Sequence, residues 1–262
     1  MLRPDDPASL APRIERAQAW QMIRTARAHP AGGSWIDAGG GWSVSFGPRS
    51  PFNAAVGVGL AGSVDPGALL QIEEHLGAGG GAVRIEVASP ADHSLAGALA
   101  HREYGVERFH QVWWRPPSPL PAAADAGTRP IRPGEEDLWL DIFGATFLGG
   151  APTGPLREGL RAMPRAEGNV CFLAFADGAP AGVAMASCEA GVALLTGAGV
   201  LERFRGRGLQ ASMVRARLEW AAARGCDLAA SATDPGTASQ RTLEKAGFRS
   251  AYPKAVMVRP AP

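Results

Sequence analysis

The chain has almost no lysine: of 26 basic side chains, only Lys245 and Lys254 are not arginine. It has no surplus of one charge either, because 25 acidic residues leave a formal net charge of +1. A nearly neutral chain has no global pull toward nucleic acid or an anionic membrane surface. Cys171, Cys188 and Cys226 are well separated and show no CxxC spacing. That pattern favours a reducing compartment over a disulfide framework and points to small buried side chains. No apolar run approaches the ~18 residues of a membrane span, and the opening Met1-Leu-Arg-Pro-Asp-Asp has no hydrophobic signal core. The expectation is a cytoplasmic protein with no metal, membrane or nucleic-acid partner. Groups that carry protons are scarce too: the only tyrosines are Tyr104 and Tyr252, and His29, His75, His93, His101 and His110 all lie in the first half.

What is present is a globular composition, 46% hydrophobic and 19% charged, with 34 glycines and 22 prolines. At 262 residues the chain holds one large domain or two of about 130. Arg115-Pro-Pro-Ser-Pro-Leu-Pro, followed by small residues to Gly127, describes a stiff connector. The expected organisation is therefore a first domain at 1–115, a linker at 116–127 and a second domain at 128–262.

In the second domain, hydrophobic periodicity and turn residues predict strands over 129–132, 170–176, 181–188, 192–200, 227–232 and 255–259. Helices are predicted from 133, over 154–165, over 209–224 and over 237–246, with Thr237 and Gln240 spaced as a capping box. Asp177-Gly178 and Glu189-Ala-Gly191 mark tight hairpins. The pattern is an antiparallel meander feeding a β-α-β crossover, an α/β fold with a mixed sheet. The first half repeats the end of this scheme. Its strand 82–89, helix 92–103 and strand 111–115 place Ser89 against Ser231 (231 − 89 = 142) and Arg115-Pro116 against Arg259-Pro260 (259 − 115 = 144).

The most informative stretch is Arg203-Phe-Arg-Gly-Arg-Gly-Leu-Gln210, between a strand-like run and an amphipathic helix-like run. Its glycines let backbone approach a ligand closely. The first turn of the following helix presents unpaired N–H groups and a positive dipole end, suited to a pyrophosphate. The corresponding place in the first half reads Ser63-Val-Asp-Pro-Gly67, where an aspartate adds negative charge and a proline removes a donor. The first half is not expected to hold the ligand.

Arg203-Phe-Arg-Gly206-Arg-Gly208 fits the pattern [RQ]xxGx[GA], and Ser239-Gln-Arg-Thr-Leu-Glu-Lys-Ala-Gly-Phe248 fits Ser-x-Arg-x-x-Glu-Lys-x-Gly-Phe. With these two motifs in register on the right elements, the second half resembles the GCN5-related N-acetyltransferases, and the first half a degenerate copy. The resemblance implies tandem acyl-CoA N-acyltransferase-like domains and an acetyltransferase that moves acetyl from acetyl-CoA to an amine, on a small molecule or a protein. It implies a cofactor site at Ala198, Gly199 and Val200 for the pantetheine arm. Arg203, Arg205, Gly206, Arg207, Gly208, Leu209 and Gln210 would take the pyrophosphate, and Ser239 would face the thioester end. It further implies that the strands near Val200 and Ala230 splay apart.

Catalytic groups are harder to assign. Family members often carry a tyrosine acid four residues after the serine, but this chain has Leu243 there. Tyr252 is a substitute, with packing as its competing role. Glu189, at a hairpin turn, and Asp234, ahead of Pro235 where it could also cap the following helix, are the candidate carboxylates. A backbone carbonyl or water chain would leave no mark in the sequence. An acyl-CoA-binding sensor without turnover is the alternative reading.

Overall fold

The computed structural model describes residues 6–121 and 127–261. Part of the expected linker, 122–126, thus lies outside the described residues, as do residues 1–5, on which the missing signal core was read. Contacts group the chain into two units. One comprises Met1–Val112, Thr233–Pro235 and Ser250–Pro262; the other comprises Trp113–Ala232 and Gly236–Arg249. These divisions differ from the expected 1–115 and 128–262, because the last strand finds an antiparallel partner in the first unit.

The first unit opens with α1 (Pro7–Arg27), a helix missing from the sequence expectations; Asp6 caps it by accepting from Ala8 N at 3.0 Å. It continues through β1 (Ser34–Ala38), β2 (Gly41–Ser45), β3 (Ala54–Val56), α2 (Pro66–Gly77), β4 (Val83–Ala88), α3 (His93–Ala100) and β5 (Gly105–Arg115). Strands β1, β2 and β3 form an antiparallel meander, and α2 carries the chain across to β4, parallel to β3. The final strand β11 (Arg249–Arg259) lies antiparallel to β4, with Val256 opposite Glu86. Leu69, Ile72 and Leu76 of α2 and Leu95 and Leu99 of α3 close over Ile85 in one apolar core.

The second unit contains β6 (Arg129–Pro130), α4 (Glu136–Phe147), α5 (Gly154–Leu160), α6 (Ala162–Arg165), β7 (Asn169–Ala176), β8 (Ala179–Glu189), β9 (Val192–Val200), α7 (Leu209–Ala223), β10 (Leu228–Thr233) and α8 (Ala238–Lys245). Strands β6 to β9 form an antiparallel meander, and α7 crosses to β10, parallel to β9. Asp177 and Gly178 (φ 51° and 75°) and Ala190 and Gly191 (φ 46° and 80°) turn its two hairpins with the positive φ angles that match strand twist. The single helix expected over 154–165 is two, α5 and α6. Pro164 has no N–H to give to the Leu160 carbonyl, so the helix cannot run through.

The repeat is more regular in structure than in sequence. Helices α3 and α8 have 8 residues each and start 145 apart (238 − 93); β4 and β10 have 6 each and also start 145 apart (228 − 83). Strands β5 and β11 have 11 each, offset by 144 (249 − 105). Each unit is thus a meander followed by one parallel crossover.

A charged cluster sits inside the first unit. Lys254, 2% exposed, contacts Glu15 at 2.9 Å and Glu86 at 2.6 Å and donates to Gln18 at 2.8 Å. Tyr252, buried, donates to Glu15 at 2.7 Å. Burial alone would raise the Glu86 carboxyl, but the ammonium of Lys254 and the Gln18 amide outweigh it and hold it below its ordinary 4.5. A depressed carboxyl contributes stability above pH 4.5 that is lost as pH falls through the folded value. Urea unfolding should therefore show stability declining below about pH 4.5. Lys254→Met, which strands the buried Glu15 carboxylate and the partly buried Glu86, should cost about 3–5 kcal/mol at pH 7. Tyr252→Phe should cost less, about 1.5–3 kcal/mol, the value of one hydrogen bond to a charged group. A loss for Lys254→Met no larger than that for Tyr252→Phe would contradict this account of the cluster.

Candidate functional site

Strand β9 pairs with β10 only from Val192 to Leu194, opposite Leu228 to Ala230, among the described residues. Ser231 Oγ then donates to the Leu195 carbonyl at 2.7 Å, the point at which the two strands part. On its other side β9 is irregular. Between the pairs Val183–Gly199 and Met185–Thr196, β8 has one residue and β9 has two, a bulge carrying Gly197 at φ 57°. The segment 197–200 therefore has backbone groups outside regular pairing, and it includes Ala198, Gly199 and Val200. Helix α4 presses on this segment: a Cβ at Gly199 would meet Thr146 Oγ1 at 2.5 Å, so only glycine fits.

Beyond Val200 the chain makes a 3-10 turn (Glu202–Phe204) and reaches α7 through two left-handed glycines, Gly206 (φ 80°) and Gly208 (φ 77°). The first helical bond is Ser212 N to Gly208 O at 3.1 Å. The amides of residues 206–211 have no acceptor among the described residues, and Gly208 supplies no side-chain cap. Six donors thus converge at the positive end of a 15-residue helix. Nothing lies within 4 Å of where a Cβ would stand on either glycine, so the mouth is open. Leu209 is buried in the apolar cluster with Val200 and Met213, which anchors the first turn.

The arginines are arranged by a residue that the motif treats as variable. Phe204 lies under both Arg203 and Arg207, whose guanidinium carbons are 4.8 and 5.5 Å from its ring centre. Arg207 also meets Asp177 of the β7–β8 hairpin at 2.5 Å, an exposed pair that exchanges easily with another anion. Arg205 is exposed, and Gln210 donates to the Ala198 carbonyl at 3.3 Å, linking α7 to the bulge. All the predicted cofactor residues from Ala198 to Gln210 therefore come together. Ser239 lies exposed in the first turn of α8.

The catalytic candidates do not gather there. Glu189 ends β8 opposite Val192, at the far end of β9 from Val200; eight residue steps of ~3.3 Å put it about 26 Å from Val200. It is not part of this site. Asp234 is exposed and belongs to the first unit, where His110 Nε2 lies 3.4 Å from its carboxylate. It does not cap α8, because Thr237 does, accepting from Gln240 N at 3.3 Å. Burial pulls the His110 imidazole below its usual range, against the opposing pull of Glu86 and Asp234. Tyr252 also belongs to the first unit, and burial, with Glu15 beside it, pushes its phenol far up. Leu243 packs in the apolar cluster of the second unit with Leu218 and Phe248.

Three contributors carried no sequence signal. Thr146 and Phe147 reach Gly199 from a helix fifty residues upstream. Arg217, buried on α7, donates to the carbonyls of Met213 (2.9 Å), Thr196 (3.4 Å) and Met185 (3.5 Å). The last two carbonyls border the bulge. Burial pulls the guanidinium down to about 9, which still leaves it cationic at neutral pH. A lone arginine at helix spacing reads from sequence as surface charge.

Among the described residues no helix is long and apolar enough to cross a membrane, and no group of three or more His, Cys, Asp or Glu side chains could hold a metal ion. No curated protein matches the sequence. A GCN5-related N-acetyltransferase from Kribbella flavida superposes with TM-score 0.72 at 19% identity, covering 97% of this chain and 96% of its own. One from Sphaerobacter thermophilus does so with TM-score 0.61 at 15% identity, covering 97% and 93%. A tandem GNAT protein of the clavulanic acid biosynthesis pathway gives TM-score 0.57 at 17% identity, covering 92% and 87%. These likenesses extend the fold over both units. Residues 137–248, which carry the crossover just described, match the profile of the acetyltransferase (GNAT) family.

Proposed function

We propose that the second unit holds the diphosphate of acetyl-CoA on the amides of residues 206–211 and transfers the acetyl group to an amine. The observation that carries this reading is the row of six unpartnered amides at an open helix mouth. Each charge-assisted bond to a phosphate oxygen is worth about 1.5–3 kcal/mol, so a few of them sustain micromolar binding after ordering costs. Arg203, Arg205 and Arg207 add long-range attraction. The unpaired edge at 197–200 would receive the pantetheine arm, and Ser239 would face its reactive end. The cosubstrate supplies an activated thioester. The chain contributes a fixed edge, a bulge whose amides can donate to a developing oxyanion, and a buried Arg217 that holds that bulge.

Of the expected proton carriers, Glu189 is too far away and position 243 is leucine. We therefore assign removal of the amine proton to solvent, with no dedicated side chain of the second unit. We assign the first unit, whose corresponding helix start is sealed by Asp65 and Pro66, no part in holding the cosubstrate. The buried Leu243, where an acid would stand, favours the second reading of a binding protein without turnover.

Gly206→Glu or Gly208→Glu should weaken acetyl-CoA binding about 100-fold or more by calorimetry while circular dichroism stays unchanged; unaltered affinity would remove the helix mouth from the site. Release of free thiol with a panel of amines separates the enzyme from the sensor, since a sensor binds CoA and releases none. For active amines, kcat/KM should rise with pH along a limb that moves with the pKa of each amine. A limb that stays fixed across amines would instead reveal a titrating group on the protein.

A further inference from the structure

Cys188 and Cys226 are 38 residues apart (226 − 188), yet their sulfurs lie 2.7 Å from each other. That is about 0.7 Å longer than the ~2.04 Å of a disulfide bond. The registers of the sheet explain the approach. Cys188 on β8 is opposite Ala193 on β9, and Ala193 is opposite Ala229 on β10. Cys226 precedes Ala229 by three residues in the turn that follows α7. Gly225 (φ 70°) and a bond from Cys226 N to the Ala221 carbonyl at 3.1 Å fold that turn back against the sheet. Both thiols then join the apolar cluster of Ala193, Leu218, Ala221 and Ala229. Among the described residues they belong to no group of three or more His, Cys, Asp or Glu side chains that could hold a metal ion.

We infer that Cys188 and Cys226 form a dithiol site that a low-molecular-weight disulfide converts, reversibly, into an intramolecular disulfide. The step balances without any other reactant. Cys188, the partly exposed member, attacks the reagent, forming a mixed disulfide and expelling one thiol. Cys226 then attacks the Cys188 sulfur, the S–S bond closes and the second thiol leaves. The two protein thiols are oxidised and one reagent disulfide is reduced to two thiols. Burial, with Cys188 and Asp227 alongside, pushes the Cys226 thiol up to about 12, so the closing step quickens as pH rises toward that value. The bridge encloses 189–225, which is all of β9, the glycine turn and α7. It fastens that crossover at the end away from the amides of 206–211 and leaves them untouched.

The experiment treats the full chain with oxidised glutathione at pH 7 and pH 9. The expected product has lost ~2 Da, its free thiols under denaturing conditions fall from three to one, and a peptide map joins Cys188 to Cys226. Closure should run faster at pH 9. The melting temperature should rise by about 5–10 °C, and dithiothreitol should reverse both changes. Cys188→Ser and Cys226→Ala should each abolish the rise, while Cys171→Ser should keep it. Three thiols still free, a glutathione adduct persisting on Cys188, or a link through Cys171 or a second chain would each overturn the inference. None of these readouts uses acetyl-CoA or an amine, so the result is independent of the proposed activity.

Discussion

A helix that begins directly after a left-handed glycine leaves its first amides without acceptors, and that constraint organises the second unit. Gly208 gives α7 no side-chain cap. The donors of 206–211 find no acceptor among the described residues, which leaves them available to water or to an anion from outside. The apolar anchoring of Leu209, the Phe204 ring beneath two guanidinium groups and the Gln210 link to Ala198 all serve to keep that mouth in place. The parallel crossover requires a long connection in any case; this chain uses it to aim the helix.

The first unit shows the same architecture with the constraint removed. Its crossover helix α2 starts at Pro66, which has no N–H, and Asp65 accepts from Gly67 N at 2.7 Å. An internal carboxylate thus occupies the place that an external anion would take. The spare bonding capacity that makes α7 a candidate site is consumed locally in α2. What the first unit keeps is the meander, the crossover and a buried charge cluster built on Lys254, one of the two lysines in the chain.

Much of this was legible in the residues. Strand β9 has the expected bounds, the Asp177-Gly178 hairpin has the positive φ angles its composition implies, and α7 and α8 begin within a residue of their expected starts. Strands β1 to β3 escaped notice because elements of 3 to 5 residues carry little periodicity to read, whereas the 21-residue α1 was missed despite its length. The cysteines, taken one by one, read as inert fillers; only the register across β8, β9 and β10 brings two of them together.

The sequence alone determined the local chemistry: which glycines take a left-handed backbone, which helix start is uncapped and which is sealed by its own aspartate, and where arginines cluster. Those properties depend on neighbours within a few residues, and composition reports them directly. Tertiary structure decided everything that joins distant positions. It set Thr146 against Gly199, Arg217 against the carbonyls of the bulge and His110 beside Asp234. It also buried Tyr252 with Glu15 and carried the last strand to β4. Such pairings are chosen by strand register and by the burial of whole faces, quantities that no window of sequence contains.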